Sequence, residues 1–356
     1  MKNIALILAA LLMSVTAMAK KNTSNELKQL QAFLSQPAQE ASTNAEALRI
    51  TNLSDPASWE GVKMENGRIS EIDWRGRKLA GDLSLGGFQS LKRIDVSHNR
   101  LTSLSLQNDN ALTYINAGSN RIASFDAAGS GQIQTLKLFN NRLSTLDLSA
   151  VPFLKSLNIS GNSIAALDVS GSANLEYLNC MSNRMEQLAV TDCTALKSLY
   201  ASYNNLSGIE LAGLIRLQNL NLSNNKILKL YLQDLPALNS LFCSDNHMTD
   251  LAINNCGALL DLWAPYNDLT AVNVDNCPAL GFVNLSWNDL QTLDLSDQSF
   301  LQRLNVSNNQ LMTLDVSFDP ILTYVNIANN TLLNDFRTEG DTQLTQVVGL
   351  TWDENE

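Results

Sequence analysis

The chain has 356 residues, a formal net charge of −11 at pH 7 and 45% hydrophobic residues. That acidity argues against nucleic acid, whose capture needs a basic footprint, and against anionic membrane surfaces. Five cysteines and two histidines leave little material for metal or nucleophilic chemistry.

Residues 1–19 read as an export signal. Lys2 gives a charged start, Ile4 to Val15 an apolar run, and Ala17-Met18-Ala19 a small-x-small cleavage site before Lys20. The run is too short to span a bilayer, so no membrane insertion is expected. No cysteine follows the cleavage site, as a lipoprotein anchor would require. The expected location is outside the cytoplasm: periplasm, outer surface or medium. Lys20 to Arg68 has no regular period and forms a capping region. Thr23-Ser24-Asn25-Glu26 is a capping box opening a helix with Leu27, Leu30 and Leu34 on one face, and Pro37 stops it. Asn44 is placed to cap a second short helix over Ala45 to Ile50. Asn66-Gly67 marks a hairpin turn between Val62 and Ile69.

From Ile69 the chain repeats. Asn99, Asn120, Asn141, Asn162, Asn183, Asn204, Asn225, Asn246, Asn267, Asn288, Asn309 and Asn330 recur at a constant interval of 21 residues. Such a period means one supersecondary unit stacked many times. Leu91-Lys92-Arg93-Ile94-Asp95-Val96-Ser97-His98-Asn99-Arg100-Leu101 fits L-x-x-L-x-L-x-x-N-x-L, and later coils open at Leu112, Ile133, Leu154, Leu175 and onward to Leu322. This resembles the leucine-rich repeat family over most of the chain. The resemblance implies a right-handed superhelix, between α/β and mainly β, with a parallel sheet on its concave side. Each coil also carries a second short L-x-L element, such as Leu146-Asp147-Leu148 or Leu314-Asp315-Val316, which leaves no room for a long convex helix. The short, nested repeats are similar to those of bacterial surface proteins of the internalin kind. About 13 coils over residues 69–332 are expected, closed by a C-terminal cap over 333–356.

Two departures from the period fall at the ends. Leu79 and Leu101 lie 22 apart, with the extra residue in Leu79-Ala80-Gly81-Asp82-Leu83. Together with Trp59-Glu60-Gly61-Val62 this resembles a plant-type N-terminal cap, although Met64 stands where that family has a cysteine. At the other end, 22-residue steps from Leu322 and Val325 reach Leu344 and Val347, and a step from Asn330 reaches Trp352, expected as a terminal lid.

Strand side chains alternate between faces, so Ile94 and Val96 point inward while Arg93, Asp95 and Ser97 point to the concave surface. The ladder asparagines are expected to bond backbone groups of their own coil and the next. Cys180 and Cys243 fall in inward positions. Cys193, Cys256 and Cys277 share a slot that Leu214 and Leu235 fill in other coils, so buried free thiols are expected. Asp126, Asp147, Asp168, Asp294 and Asp315 align on the second element and suggest either calcium or local hydrogen bonds. The companion ligands of a calcium repeat are absent, which favours the second. His98 and His247 lie seven coils apart without a nucleophile, so neither catalysis nor a cofactor is expected.

Outward positions collect the aromatics. Tyr177, Tyr200, Tyr203, Phe242, Trp263, Tyr266, Phe282 and Trp287 cluster in the second half, with Tyr114, Phe139 and Tyr324 outside that run. An outward amide row, Asn116, Asn158, Asn179, Asn284, Asn305 and Asn326, lies beside them. Exposed aromatics flanked by polar groups suit binding. The expectation is a monomeric, non-catalytic protein that binds a protein partner through these eight residues. A glycan ligand and a purely structural envelope role are the alternatives.

Overall fold

The computed structural model describes residues 24–317, 319–339 and 343–349. Residues 1–19, expected as an export signal, Thr23 and Trp352 lie outside the described residues. The chain divides into two compact units, one ending at Ser163 and one beginning at Ile164.

The first unit opens with a helix over 24–34 whose buried side is Glu26, Leu30, Phe33 and Leu34, with Leu27 only half-covered. Phe33 stacks on Trp74 of the first coil at 6.1 Å between ring centroids. The short helix Asn44–Ala47 is capped by Thr43, which accepts from Glu46 N–H at 3.2 Å. Asn44 does something else. Fully buried, it donates to the Phe33 and Ala80 carbonyls and accepts from Ala80 N–H, fastening the cap to the first coil. A buried amide with every group paired is worth more as such a tie than as a surface cap.

The hairpin forms as the sequence suggests. Val62–Glu65 pairs antiparallel with Arg68–Asp73 through Asn66 and Gly67, both at positive φ. The parallel sheet then grows one strand per coil: Arg93–Asp95, Tyr114–Asn116, Thr135–Lys137, Ser156–Asn158. A second sheet on the convex side joins Ala80–Ser84, Arg100–Ser105 and Ser124–Asp126, and its register breaks between Gly81 and Asp82, inside the segment carrying the extra residue.

The second unit repeats the plan from Tyr177–Asn179 to Gln346–Val348, all parallel. The last pairing sets Val325 against Val347, the 22-residue step read from the sequence. Its convex elements pair in short runs: Ala166–Asp168 with Gln187–Ala189, Lys229–Gln233 with Asp250–Asn254 and Ala271–Asn273, and Thr313–Asp315 with Asp335–Arg337. Each unit is thus a right-handed β-solenoid with its main sheet on the concave side and little helix.

Inside, the central residues of the concave strands are buried, as at Leu178, Leu199, Leu220, Leu241 and Leu262, with Val347 of the last strand only half-covered. Each such side chain contributes roughly 1.5–3 kcal/mol by leaving water. The ladder supplies the polar half of the interior. Asn225 donates to the carbonyls of Ala201, Leu222 and Ser223 and accepts from Leu206 N–H. Asn204, Asn246, Asn267, Asn288 and Asn309 repeat these offsets. The amide therefore ties its own coil to the preceding one, not to the next. It sits where the strand turns away, and there it takes a carbonyl of the previous coil.

A second column of buried side chains runs along the convex corner. Cys193, Leu214, Leu235, Cys256 and Cys277 fill it as expected, but Asp109, Ser130, Ser172 and Gln298 occupy it too. Ser130 Oγ donates to the Leu106 carbonyl, Cys193 Sγ to that of Val169 and Gln298 Nε2 to that of Val274, in each case 24 residues earlier. The slot is therefore a second polar ladder where a donor side chain replaces an apolar one, while Asp109 in it accepts from Phe88 N–H.

Candidate functional site

Tyr114 and Phe139 lie in the first unit; the eight aromatic residues expected to bind all lie in the second unit and all reach the concave surface, and none is buried. They sit in three columns. Tyr177 and Phe282 occupy the first outward position of their strands. Tyr200, Phe242 and Trp263 occupy the last. Tyr203, Tyr266 and Trp287 stand immediately before their ladder asparagines, on the rim where the strand has ended.

Tertiary structure brings these rings together in pairs rather than as one patch. Tyr177 and Tyr200 tilt against each other at 5.7 Å, Phe242 and Trp263 stack at 6.4 Å, and Tyr266 and Trp287 stack at 5.6 Å with their planes 16° apart. The coil holding Asn219, Asn221 and Asn224 separates Tyr200 from Phe242, since Asn221 pairs with both Tyr200 and Phe242 across the sheet. Tyr203 and Phe282 have no ring partner among the described residues.

The rim column has a backbone property that sets it apart. Every residue before a ladder asparagine from His98 to Asn329 has positive φ. The turn needs this so that its N–H can bond the next coil, as Tyr203 N–H does with Ser223 and Trp287 N–H with Ser307. Asn140, Gly161, Asn224, Asp245, Asn308 and Asn329 are residue types that accept the left-handed region. Tyr203, Tyr266 and Trp287 are not, yet each holds φ near +57° with its ring 58%, 52% and 51% exposed. For a bulky side chain this conformation costs roughly 1–2 kcal/mol. Exposed rings in a strained conformation are poorly explained by packing.

The outward amides are also not what composition suggests. Asn221, Asn284, Asn305 and Asn326 each use Oδ1 to accept the N–H of the residue two positions on. Asn284 and Asn305 accept the serine hydroxyl there as well. Their acceptor side is consumed in holding the strand end, and only NH2 donors face outward.

A hollow of about 240 Å³ opens on this face, walled by Trp263, Phe282, Arg303, Tyr324, Asn284 and Asn305. Arg303 was not among the residues singled out; its only signal is that it shares a column with Tyr177, Phe282 and Tyr324. Its guanidinium lies 5.0 Å from the Tyr324 ring centroid, a cation–π contact. A larger, open hollow of about 680 Å³ lies on the convex side beside Leu167, Leu188 and Ile209 and has no aromatic lining. The ring-lined hollow is the chemically specific one.

Among the described residues no group of three His, Cys, Asp or Glu is placed to hold a metal. The aligned aspartates cap their own turns: Asp168 accepts from Ser170 hydroxyl and N–H, Asp294 from Ser296 N–H and Asp315 from Ser317. Those bonds hold all three carboxyls below the usual range. Burial pushes the Cys180 and Cys243 thiols up to about 12 and Cys193 to about 11. Cys256 and Cys277 are free thiols. Their mutual hydrogen bond, with burial, keeps Cys256 protonated.

No family model matches the chain. No curated protein matches it in sequence either. Several solved structures match in fold. An internalin, InlF, from Listeria monocytogenes superposes with a TM-score of 0.59 at 19% identity, over 85% of this chain and 92% of that one. A leucine-rich repeat protein of Leptospira interrogans gives 0.55 at 24% identity, over 62% of each chain. The leucine-rich repeat domain of APL1B gives 0.53 at 24%, over 67% of this chain and 75% of that one. The chain thus spans under two thirds of the length of the Leptospira protein. At these identities the likeness establishes the fold: a leucine-rich repeat solenoid, a scaffold class found in bacteria and beyond.

Proposed function

We propose that this chain is an exported, non-catalytic binding protein that recognises a protein partner through the aromatic concave face of its second unit. The observation that carries the reading is the rim column. Tyr203, Tyr266 and Trp287 hold large exposed rings at left-handed positions where asparagine or glycine folds more easily. Tyr and Trp are the residues that dominate binding hot spots, and rings held by their backbone lose little freedom on contact. The short nested repeats, similar to those of internalins, support a surface or secreted setting, as does the sequence of residues 1–19. No helix among the described residues is long and apolar enough to cross a membrane.

One geometric feature favours a second reading. Tyr266 and Trp287, nearly parallel and half-exposed, form a flat platform of the kind on which a sugar ring stacks. The discriminating experiment uses the purified protein and its Phe242→Ala/Trp263→Ala variant in pull-downs from envelope or host-surface extracts, alongside a glycan array. Loss of a captured protein in the variant supports the protein reading. Capture that is unchanged in the variant refutes the site, and a glycan signal without protein capture selects the second reading.

A further inference from the structure

Resting on that reading of the concave face, we propose that the hollow beside Trp263 recognises a carboxylate side chain in an extended peptide segment, flanked there by apolar side chains. The argument is one of donor and acceptor complementarity. Asn284 and Asn305 spend their oxygens on Ser286 and Ser307, so each turns only its NH2 group toward the hollow. Neither NH2 has an acceptor among the described residues. Arg303 adds a guanidinium, which has donors and no acceptor, and it has no ion-pair partner among the described residues. The polar lining therefore presents mainly hydrogen-bond donors and one positive charge, with the Tyr324 hydroxyl able to accept as well as donate.

The acid on the same face nearest in sequence is Asp261, two strands from Arg303 and so roughly 10 Å away, and its carboxylate already accepts from Ser240 Oγ at 2.9 Å. Exposed Arg121, Arg142 and Arg184 also make no ion pair among the described residues, so what sets Arg303 apart is its place in a ring-lined hollow. Other surface cations are paired, as Lys229 is with Asp250 and Lys197 with Glu176. In the first unit, Arg93, which shares the column of Arg303, lies 3.6 Å from the centroid of Tyr114 and 3.9 Å from Asp95. Arg303 keeps the ring contact and lacks the acid. The ligand supplies it.

The rings set the rest of the ligand. Trp263, Phe282 and Tyr324 stand on the first, second and fourth of four consecutive strands, with Arg303 on the third. Four strands span about 14 Å, the reach of roughly four extended residues. An acid placed on Arg303 thus carries the side chains two residues to either side, which share its face, toward Phe282 and Tyr324. A volume of about 240 Å³ admits one large side chain and excludes a folded element.

The test is an array of terminally blocked hexapeptides, matched in hydrophobicity and carrying a central Glu, Gln or Lys. It is probed with the purified protein and with its Arg303→Gln, Arg303→Lys and Phe242→Ala/Trp263→Ala variants, each checked for unchanged melting. The proposal expects at least tenfold preference for Glu over Gln, lost in Arg303→Gln and largely kept in Arg303→Lys. Equal binding of Glu and Gln peptides overturns the carboxylate inference while leaving the aromatic face standing. A Glu preference untouched by Arg303→Gln overturns it as well, and so does an array with no peptide bound. Full binding by the Phe242→Ala/Trp263→Ala variant strikes the broader reading of the face instead.

Discussion

Replacing Tyr203 with asparagine removes a large aromatic from a folded protein, and the expected stability change is close to zero. Tyr203 holds φ +57°, which costs a side chain of its bulk roughly 1–2 kcal/mol. Asparagine occupies the same turn position at 140, 224, 308 and 329 and relieves most of that strain. Against this stands the burial of about two-fifths of the tyrosine. Full burial of a large side chain is worth roughly 1.5–3 kcal/mol, so the covered part contributes about 1 kcal/mol. The two effects offset to within about 1 kcal/mol. Leu199→Ala on the same coil empties a fully buried site and is expected to cost about 2–5 kcal/mol. Urea unfolding followed by far-UV circular dichroism separates the two outcomes by midpoint. Partner binding should move the opposite way, weakened in Tyr203→Asn at least as much as in any inward variant that stays folded. A Tyr203→Asn loss above about 2 kcal/mol would show the ring to be a packing element and would remove the main support for the binding face.

Asn225→Leu should destabilise the second unit by about 3–5 kcal/mol, because the Leu206 N–H and the Ala201 carbonyl lose their partner in the interior; a melting temperature within a degree of the parent contradicts the ladder's role. Asp109 is fully buried, and burial pushes its carboxyl up to about 7 while Phe88 N–H bonds it at 2.6 Å. The native state then binds more protons than the unfolded state between about pH 4 and 7, so its contribution to stability is greatest below that window and falls as pH rises through it, by at most about 1.4 kcal/mol per pH unit. Asp109→Asn should flatten the first unit's melting profile across that range; parallel profiles refute the assignment. The five buried thiols should react with a disulfide reagent at pH 8 only on unfolding, and rapid labelling of the native protein at Cys180 or Cys243 contradicts their burial.

The fold was legible because a solenoid is quasi-one-dimensional. Each coil touches only its neighbours, so a 21-residue interval dictates which side chains meet. The parallel strands, the inward leucines, the Asn66-Gly67 hairpin and the extra residue of the first coil all follow from that interval or from local turn chemistry. So did the exposure of the eight aromatics. The left-handed rim was partly readable, since Asn, Gly and Asp recur in its column, although nothing local says that Tyr203, Tyr266 and Trp287 take the same backbone.

What remained depended on atoms brought together from distant coils. Asn44 reads as a cap until Ala80 is placed against it, and Glu26 as the end of a capping box until burial raises its carboxyl beside Arg68. The outward amides are a local exception, their oxygens taken by groups only two residues on. Arg303 looks like any exposed cation until its surroundings prove to hold rings and donors without an acid. Repetition is written into each coil and can be read from the sequence. The pairing of one polar atom with another 20 to 60 residues away is decided only when the coils are stacked, and the chemistry of this concave face depends on those pairings.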